Sequence, residues 1–251
     1  MEKLPASFKE QGMWFSDYNR ALELAGAPRP RSFEEYMSLS GDGRGAWVAA
    51  RHGIVNMADL MDKARVRGRQ WEKAFGFGMF DMDLLVSIGT YSALPLQLAY
   101  LEGDFREEGI RERLLDLGYQ ERFAGESVYY AIEGDFKASF RDPVARLAVS
   151  SMNRVFVEDG ALVASPETDR MVKVLEHSAG KTPSLADDVM FSSLAASLGD
   201  PLSAALLTRS AAVKLEGALA RCTLWGPLAR YSKHQKRGAP FANGKRWAPA
   251  T

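Results

Sequence analysis

Arg-Val-Phe-Val-Glu-Asp-Gly-Ala-Leu-Val-Ala-Ser, residues 154–165, is the stretch that decides the fold class. Residues 154–157 and 161–164 are rich in apolar and β-branched side chains, which is typical of strands. Between them, Glu158-Asp159-Gly160 is typical of a tight turn. The stretch therefore predicts a β-hairpin, and an antiparallel or mixed sheet around it.

Patterns on either side of this hairpin predict further strands and the helices that cover the sheet. Residues 95–101, 128–132 and 202–207 are apolar runs of strand length. Apolar residues at helical spacing follow, at 110–117 and 171–175, and Pro143 suits the first position of another helix. The sequence thus predicts an α+β fold, an antiparallel or mixed sheet with packed helices.

The chain divides by pattern into three regions. Residues 1–90 are expected to be helix-rich with one short strand at 12–16, and residues 41–45 to form a flexible glycine-rich turn. Residues 91–208 are expected to form an α+β strand–helix region. Residues 209–251 are expected to be a basic, poorly ordered tail.

One tetrapeptide occurs twice in the chain, which is consistent with a repeated strand–turn–helix unit. Glu-Gly-Asp-Phe occurs at residues 102–105 and again at 133–136, each time after an apolar run. If the two copies lie side by side, Glu102, Asp104, Glu133 and Asp135 could converge. Four carboxylates could hold a divalent metal, and two of them could act as an acid–base pair. The alternative is that these residues only serve turns and helix caps.

The charge is unevenly distributed although the 32 basic and 32 acidic residues balance overall. No acidic residue follows Glu216, and the last 35 residues carry seven basic ones together with aromatic residues. Such a tail could bind single-stranded nucleic acid or an anionic surface. The candidate residues are Arg230, Lys233, Lys236, Arg237, Lys245 and Arg246. The alternative is a disordered terminus.

Other chemistry is poorly represented. A single cysteine, Cys222, excludes an internal disulfide and multi-cysteine metal sites. The three histidines lie far apart and lack metal-ligand spacing, and no nucleophile or cofactor motif is complete. We therefore assign no catalytic residue and expect no bound cofactor. No apolar run reaches the ~20 residues that a membrane-spanning helix requires.

Short motifs over residues 4–207 resemble a group of bacterial exported proteins, often lipoproteins, of uncharacterised function. The motifs are mostly structural: Leu-Pro-Ala-Ser at 4–7, Trp-Phe-Ser-Asp-Tyr at 14–18, the aromatic run 71–77, Asp-Met-Asp at 81–83, residues 101–105, 114–119, 142–148, 159–166, 183–188 and 202–207. The resemblance implies an extracytoplasmic α+β domain, in the cell envelope, and carries over no catalytic residue.

Two departures from that family affect localisation. Its members usually begin with a signal peptide, often with a lipid-bearing cysteine, and they continue beyond the strand at 202–207 with further α/β sequence. The present chain begins Met-Glu-Lys-Leu-Pro and ends in the basic tail. The expectations are a truncated gene product of an envelope protein or, if the chain is complete, a cytoplasmic one.

The leading functional hypothesis is a non-catalytic binding or interaction domain of an envelope-associated protein. Its partner would be an unidentified protein or small molecule, and any membrane attachment would use the missing lipid anchor. One alternative is an enzyme that uses the four acids, with or without a divalent metal. The other is a nucleic-acid or anionic-surface binder that uses the basic tail. The oligomeric state stays open.

Overall fold

The hairpin at 154–165 forms as predicted and lies inside a larger antiparallel sheet. The structure, a computed structural model, describes residues 2–52, 59–89, 98–132, 134–136, 143–148, 150–198 and 203–206. In the hairpin, Val155 is paired with Ala164 and Val157 with Leu162. Gly160 closes the turn with φ of +86°, a backbone conformation that glycine adopts without steric cost.

Eight strands form one sheet in the spatial order β4-β5-β6-β7-β3-β2-β1-β8, and every pairing between them is antiparallel. The strands are β1 (Gly12–Asp17), β2 (Met82–Gly89), β3 (Leu98–Gly103), β4 (Gln120–Ala124), β5 (Ser127–Ala131), β6 (Arg154–Glu158), β7 (Ala161–Ser165) and β8 (Ser203–Leu206). The α+β class predicted from the sequence is confirmed, and the sheet is antiparallel.

Helices cover both faces of this sheet. They are α1 (Tyr18–Leu24), α2 (Phe33–Ser38), α3 (Gly41–His52), α4 (Asp59–Phe75), α5 (Glu107–Asp116), α6 (Pro143–Ala148), α7 (Thr168–Ser178) and α8 (Val189–Leu198), with short 3-10 helices at Ala6–Phe8 and Leu185–Asp187. None of the helices in the described ranges combines the length and the apolar character that crossing a bilayer requires.

Alternation along the strands sends successive side chains into two separate cores. The first face carries Leu85, Leu101, Val155 and Leu162. These side chains form one cluster with Trp71 and other aromatic residues at the C-terminal end of α4. The second face carries residues such as Val86, Tyr100 and Val163, which cluster with Met171, Val174 and Leu175 of α7. The sheet is therefore the middle of three layers.

The segment before β1 completes the second core. Leu4 and Phe8 are fully buried there. The Ala6 N–H donates to the Pro183 carbonyl at 2.9 Å, and the Leu185 N–H donates to the Leu4 carbonyl at 2.8 Å. The His177 ring also lies between two backbone carbonyls, 2.7 Å from that of Glu2 and 2.9 Å from that of Thr182. These bonds fasten the N-terminal segment beside α7.

Three local expectations differ from the structure. Residues 1–90 contain two strands rather than one, because residues 82–89 form β2 and pair with both β1 and β3. Residues 41–45 begin helix α3 instead of forming a turn, with Trp47 and Ala50 of the same helix buried. Glu102 and Gly103 end strand β3 rather than beginning a turn. Burial of apolar partners distant in sequence favours these elements over the local glycine and acid signals.

The predicted regions 1–90 and 91–208 contribute strands to the same sheet, since β1 and β2 lie between β3 and β8. The strand expected at 202–207 is present as β8. The predicted tail, 209–251, lies outside the described residues.

Candidate functional site

Glu102 lies at the end of β3, beside a buried tyrosine. The Tyr100 hydroxyl donates a 2.8 Å hydrogen bond to Glu102 Oε1. Burial raises the pKa of Tyr100, and the hydrogen bond to Glu102 and the charges of Glu102 and Glu158 raise it further. The phenol is therefore held protonated as a donor, and Glu102 has a local structural partner.

Asp104, the second predicted acid, lies on the surface just after β3. Its side chain is 73% exposed, and Oδ1 lies 4.0 Å from the Arg106 Nε. Its backbone N–H donates to the Asp81 carbonyl at 2.7 Å. Asp104 thus serves the loop that joins β3 to α5.

Asp135 lies at the other end of the strands from Glu102. Glu102 pairs with Ala161, and Ala161 pairs with Glu158, the last residue of β6. Asp135 instead contacts Arg154, the first residue of β6. The step of four residues from Arg154 to Glu158 along the strand spans about 13 Å. The structure does not bring Glu102 and Asp135 together, and Glu133 lies outside the described residues. Within the described ranges, no group of three or more His, Cys, Asp or Glu side chains is arranged to hold a metal ion.

Asp135 belongs instead to a network around a buried arginine. Its Oδ1 lies 2.6 Å from Arg154 Nη2 and accepts hydrogen bonds from the Thr168 N–H at 3.0 Å and hydroxyl at 2.7 Å. Arg154 Nε donates to the same hydroxyl at 2.8 Å, and Nη1 donates to the carbonyls of Asn153 and Ile132. The Arg154 side chain is only 7% exposed. A buried guanidinium is stable only with such partners, so the network holds it in one orientation.

Arg154 and Thr168 of this network line one side of a half-open cavity of about 500 Å³. The cavity lies where β4, β5 and β6 approach the first residue of α7, and it is lined by Gly118, Gln120, Arg122, Tyr129, Ala131, Ile132, Arg154 and Thr168. The strand register explains the lining, since Gln120 is opposite Ala131, Arg122 opposite Tyr129, and Ala131 opposite Arg154. Residues paired in this way project from the same face of the sheet.

Arg122 differs from Arg154 in having no acidic partner among the described residues. Its Nη2 donates to Gln120 Oε1 at 2.6 Å and its Nη1 to the Glu121 carbonyl at 3.3 Å. Both acceptors are uncharged, and a guanidinium has five N–H donors. The side chain is thus oriented by its own strand while its charge and some of its donors face solvent.

The chemical character of the cavity is cationic. Its lining contains two arginines and no carboxylate, histidine or cysteine. Asp135 balances the charge of Arg154, so Arg122 supplies the net positive charge. Such an arrangement can bind an anionic group, because a guanidinium matches carboxylate and phosphate geometry with two parallel hydrogen bonds.

Sequence reasoning missed this site for an identifiable reason. Strand β4 was not predicted, since four of its five residues are exposed and it has no apolar face. The available signal was Arg154, a charged residue at the first position of an otherwise apolar hairpin. The convergence of Arg122 with Arg154 depends on strand pairing, which the local sequence did not reveal.

A second cavity, beside α1 and α3, is lined mainly by apolar residues such as Trp47 and Phe80. Its volume of about 20 Å³ is that of a single water. It is too small to hold a ligand.

The tail residues that were predicted to bind nucleic acid or an anionic surface lie outside the described residues. They are Arg230, Lys233, Lys236, Arg237, Lys245 and Arg246.

No protein-family model, curated protein or solved structure shows significant similarity to the chain. The resemblance to exported lipoprotein-like proteins therefore stays a prediction.

Proposed function

We propose that the chain is a non-catalytic binding domain whose ligand places an anionic group in the cavity beside β4. The observation that carries the proposal is Arg122, a guanidinium without an acidic partner in the described part of the chain, in a cavity lined by no carboxylate. The volume of about 500 Å³ suits a small molecule or part of a larger one.

The character of the lining favours binding over catalysis. General acid–base and nucleophilic chemistry rely on carboxylates, histidines, cysteines or activated hydroxyls. Two hydroxyls lie in the lining. That of Thr168 is committed to Asp135 and Arg154, and that of Tyr129 lies in a lining without a carboxylate or histidine to activate it. Anion recognition is the chemistry that these residues perform best.

Envelope association is the second part of the proposal, and it rests on the resemblance of residues 4–207 to exported bacterial proteins. The measurement that tests it is the intact mass of the native protein in the membrane and soluble fractions of its source cell. A larger, lipidated species in the membrane fraction supports envelope association. A soluble 27.7 kDa species contradicts it.

The alternative of a tail that binds nucleic acid or an anionic surface rests on the charge of residues 217–251 alone. Deletion of residues 220–251 is its test. The deletion should abolish a salt-sensitive affinity for single-stranded nucleic acid. Unchanged binding after deletion contradicts this alternative.

Calorimetric titration with two small anions, succinate and inorganic phosphate, tests the cavity. We expect saturable binding of at least one, and a loss of about tenfold in affinity, corresponding to about 1.4 kcal/mol, on Arg122→Gln. The matched control is Arg106→Gln, which removes an exposed arginine before α5. Equal losses in the two variants, or no saturable binding of either anion, contradict the proposal.

A further inference from the structure

We infer that the free edge of β4 accepts an extended acidic peptide from another protein as an added strand. This inference rests on the proposed function and names the class of ligand: a peptide whose acidic side chains reach Arg122 while its backbone pairs with β4. Three features of β4 carry it, namely its position, its alternation and its charge.

β4 is the terminal strand of the sheet at this end. It pairs with β5 on one side, and no strand of the described ranges lies on its other side. Residues Gln120, Glu121, Arg122 and Phe123 are all exposed. The outer row of backbone N–H and C=O groups of such a strand is a template for a further strand. Extended peptides bind to many domains in this way.

Alternation along β4 gives its two faces different chemistry. Gln120 and Arg122 project to the face that lines the cavity. Glu121 and Phe123 project to the other face, where Glu121 Oε1 lies 3.6 Å from Arg111 Nη2 and Phe123 is 69% exposed. An added strand presents its side chains with the same period of two. The matching peptide therefore alternates acidic residues toward Arg122 with apolar residues toward Phe123.

Charge favours an acidic peptide over a second copy of the chain. A two-fold antiparallel pairing centred on Arg122 opposes two arginines, and one centred on Glu121 opposes two glutamates. A pairing centred on Phe123 places Arg122 opposite Ala124 and leaves its guanidinium without a carboxylate. Like charges directly opposite each other destabilise strand pairing. A glutamate opposite Arg122 instead satisfies a guanidinium that lacks an acidic partner among the described residues.

Fluorescence anisotropy with a short labelled peptide of alternating glutamate and valine tests the inference. We expect binding to the full chain, and a loss of about tenfold or more on Arg122→Glu but not on the matched control Arg106→Glu. A peptide of alternating lysine and valine should bind Arg122→Glu more tightly than it binds the original chain. That gain requires a folded variant, so a folding defect cannot produce it.

Two further measurements test the strand pairing itself. Methylating alternate backbone nitrogens of the glutamate peptide should abolish its binding, because it removes the edge hydrogen bonds and keeps the side chains. Hydrogen exchange should show new protection of residues 120–124 when the unmodified peptide is bound.

The results separate this inference from the proposed function. If the methylated peptide binds as tightly as the original one, strand addition is wrong, while succinate or phosphate binding still upholds the cavity. Unchanged affinity of Arg122→Glu for the glutamate peptide also overturns the inference. Concentration-dependent protection of residues 120–124 without peptide overturns it in favour of a second copy.

Discussion

The two Glu-Gly-Asp-Phe segments share their letters and differ in nearly every contact that the structure describes. In the first, Phe105 is buried in the first core and Asp104 is exposed. In the second, Phe136 is 45% exposed and Asp135 pairs with the buried Arg154. The phenylalanine is therefore the side chain that anchors the first copy, and the aspartate is the side chain that anchors the second.

Partners distant in sequence produce this difference. Gly103 ends β3 with its N–H on the Gly160 carbonyl, and a Cβ there would lie 1.9 Å from the Asp81 carbonyl oxygen. That close approach requires glycine. In the second copy, Phe136 donates its N–H to the Pro166 carbonyl. Its φ of +56° is strained for an aromatic residue. Four residues of local sequence do not specify an environment.

The largest expected difference between the copies lies in their phenylalanines. Phe105→Ala should lower the free energy of unfolding by about 3–4 kcal/mol, because it removes a buried ring in edge-to-face contact with Phe77. Phe136→Ala should change it by less than about 0.5 kcal/mol. Urea denaturation of both variants measures the difference. Comparable losses would contradict the contrast.

For the aspartates, we expect the larger loss of stability in the second copy, and a smaller loss than that of Phe105→Ala. Asp135→Asn should cost about 2 kcal/mol, since it leaves the buried Arg154 without its acidic partner. Asp104→Asn, its matched control, should stay within about 0.5 kcal/mol because its ion pair is exposed. The same denaturation measurement applies. A cost for Asp104→Asn that matches or exceeds that of Asp135→Asn would show that the network is not what holds the second segment.

The backbone of Phe136 offers a smaller effect of opposite sign. Phe136→Gly should raise stability by about 0.5 kcal/mol, because relief of a positive φ is worth about 1–2 kcal/mol and the added freedom of glycine in the unfolded chain costs about 0.5–1 kcal/mol. Phe136→Ala is the control that keeps the strain. A glycine variant less stable than the alanine variant would refute the argument.

The smallest effect concerns Asp81, whose carbonyl holds the first segment. Burial raises its pKa, outweighing the Gly78 N–H that donates to its carboxylate at 2.7 Å. The folded state therefore binds this proton more tightly than the unfolded chain does. The resulting stability is fully present below the unfolded pKa, near 3.8, and is lost as pH rises through the raised value.

Asp81→Asn keeps an acceptor for Gly78 and removes this titration. The stability of the variant relative to the original chain should therefore rise as the pH rises through the raised pKa. Denaturation across the acidic range measures this difference. A difference that stays flat or falls with pH would contradict the raised pKa.

Sequence reasoning succeeded where the stabilising interactions join residues that are close along the chain. The hairpin at 154–165 was predictable because turn and alternation lie within twelve neighbouring residues. The cap at Ser184 is equally local, since its hydroxyl accepts the N–H of Asp187, three positions along the chain, at 3.2 Å. β2 was missed because a short, largely apolar run cannot be assigned to strand or helix by its period alone.

The candidate site was beyond the reach of the same reasoning. The sequence pointed to four acids by their repetition, whereas the cavity is built from two arginines 32 positions apart. Arg122 projects from an exposed strand without an apolar pattern, and only its pairing with β5 shows which face it occupies. Registers between separate strands bring these residues together, and no local pattern records them.

The sequence by itself determined the α+β class and the hairpin, because these follow from dihedral preferences and hydrophobic periodicity within a few residues. Tertiary structure alone decided the order of the eight strands, the opposite roles of Asp104 and Asp135, and the cationic cavity. The physical reason is that burial and strand pairing join residues distant in the chain. The charge and exposure of a side chain depend on those partners.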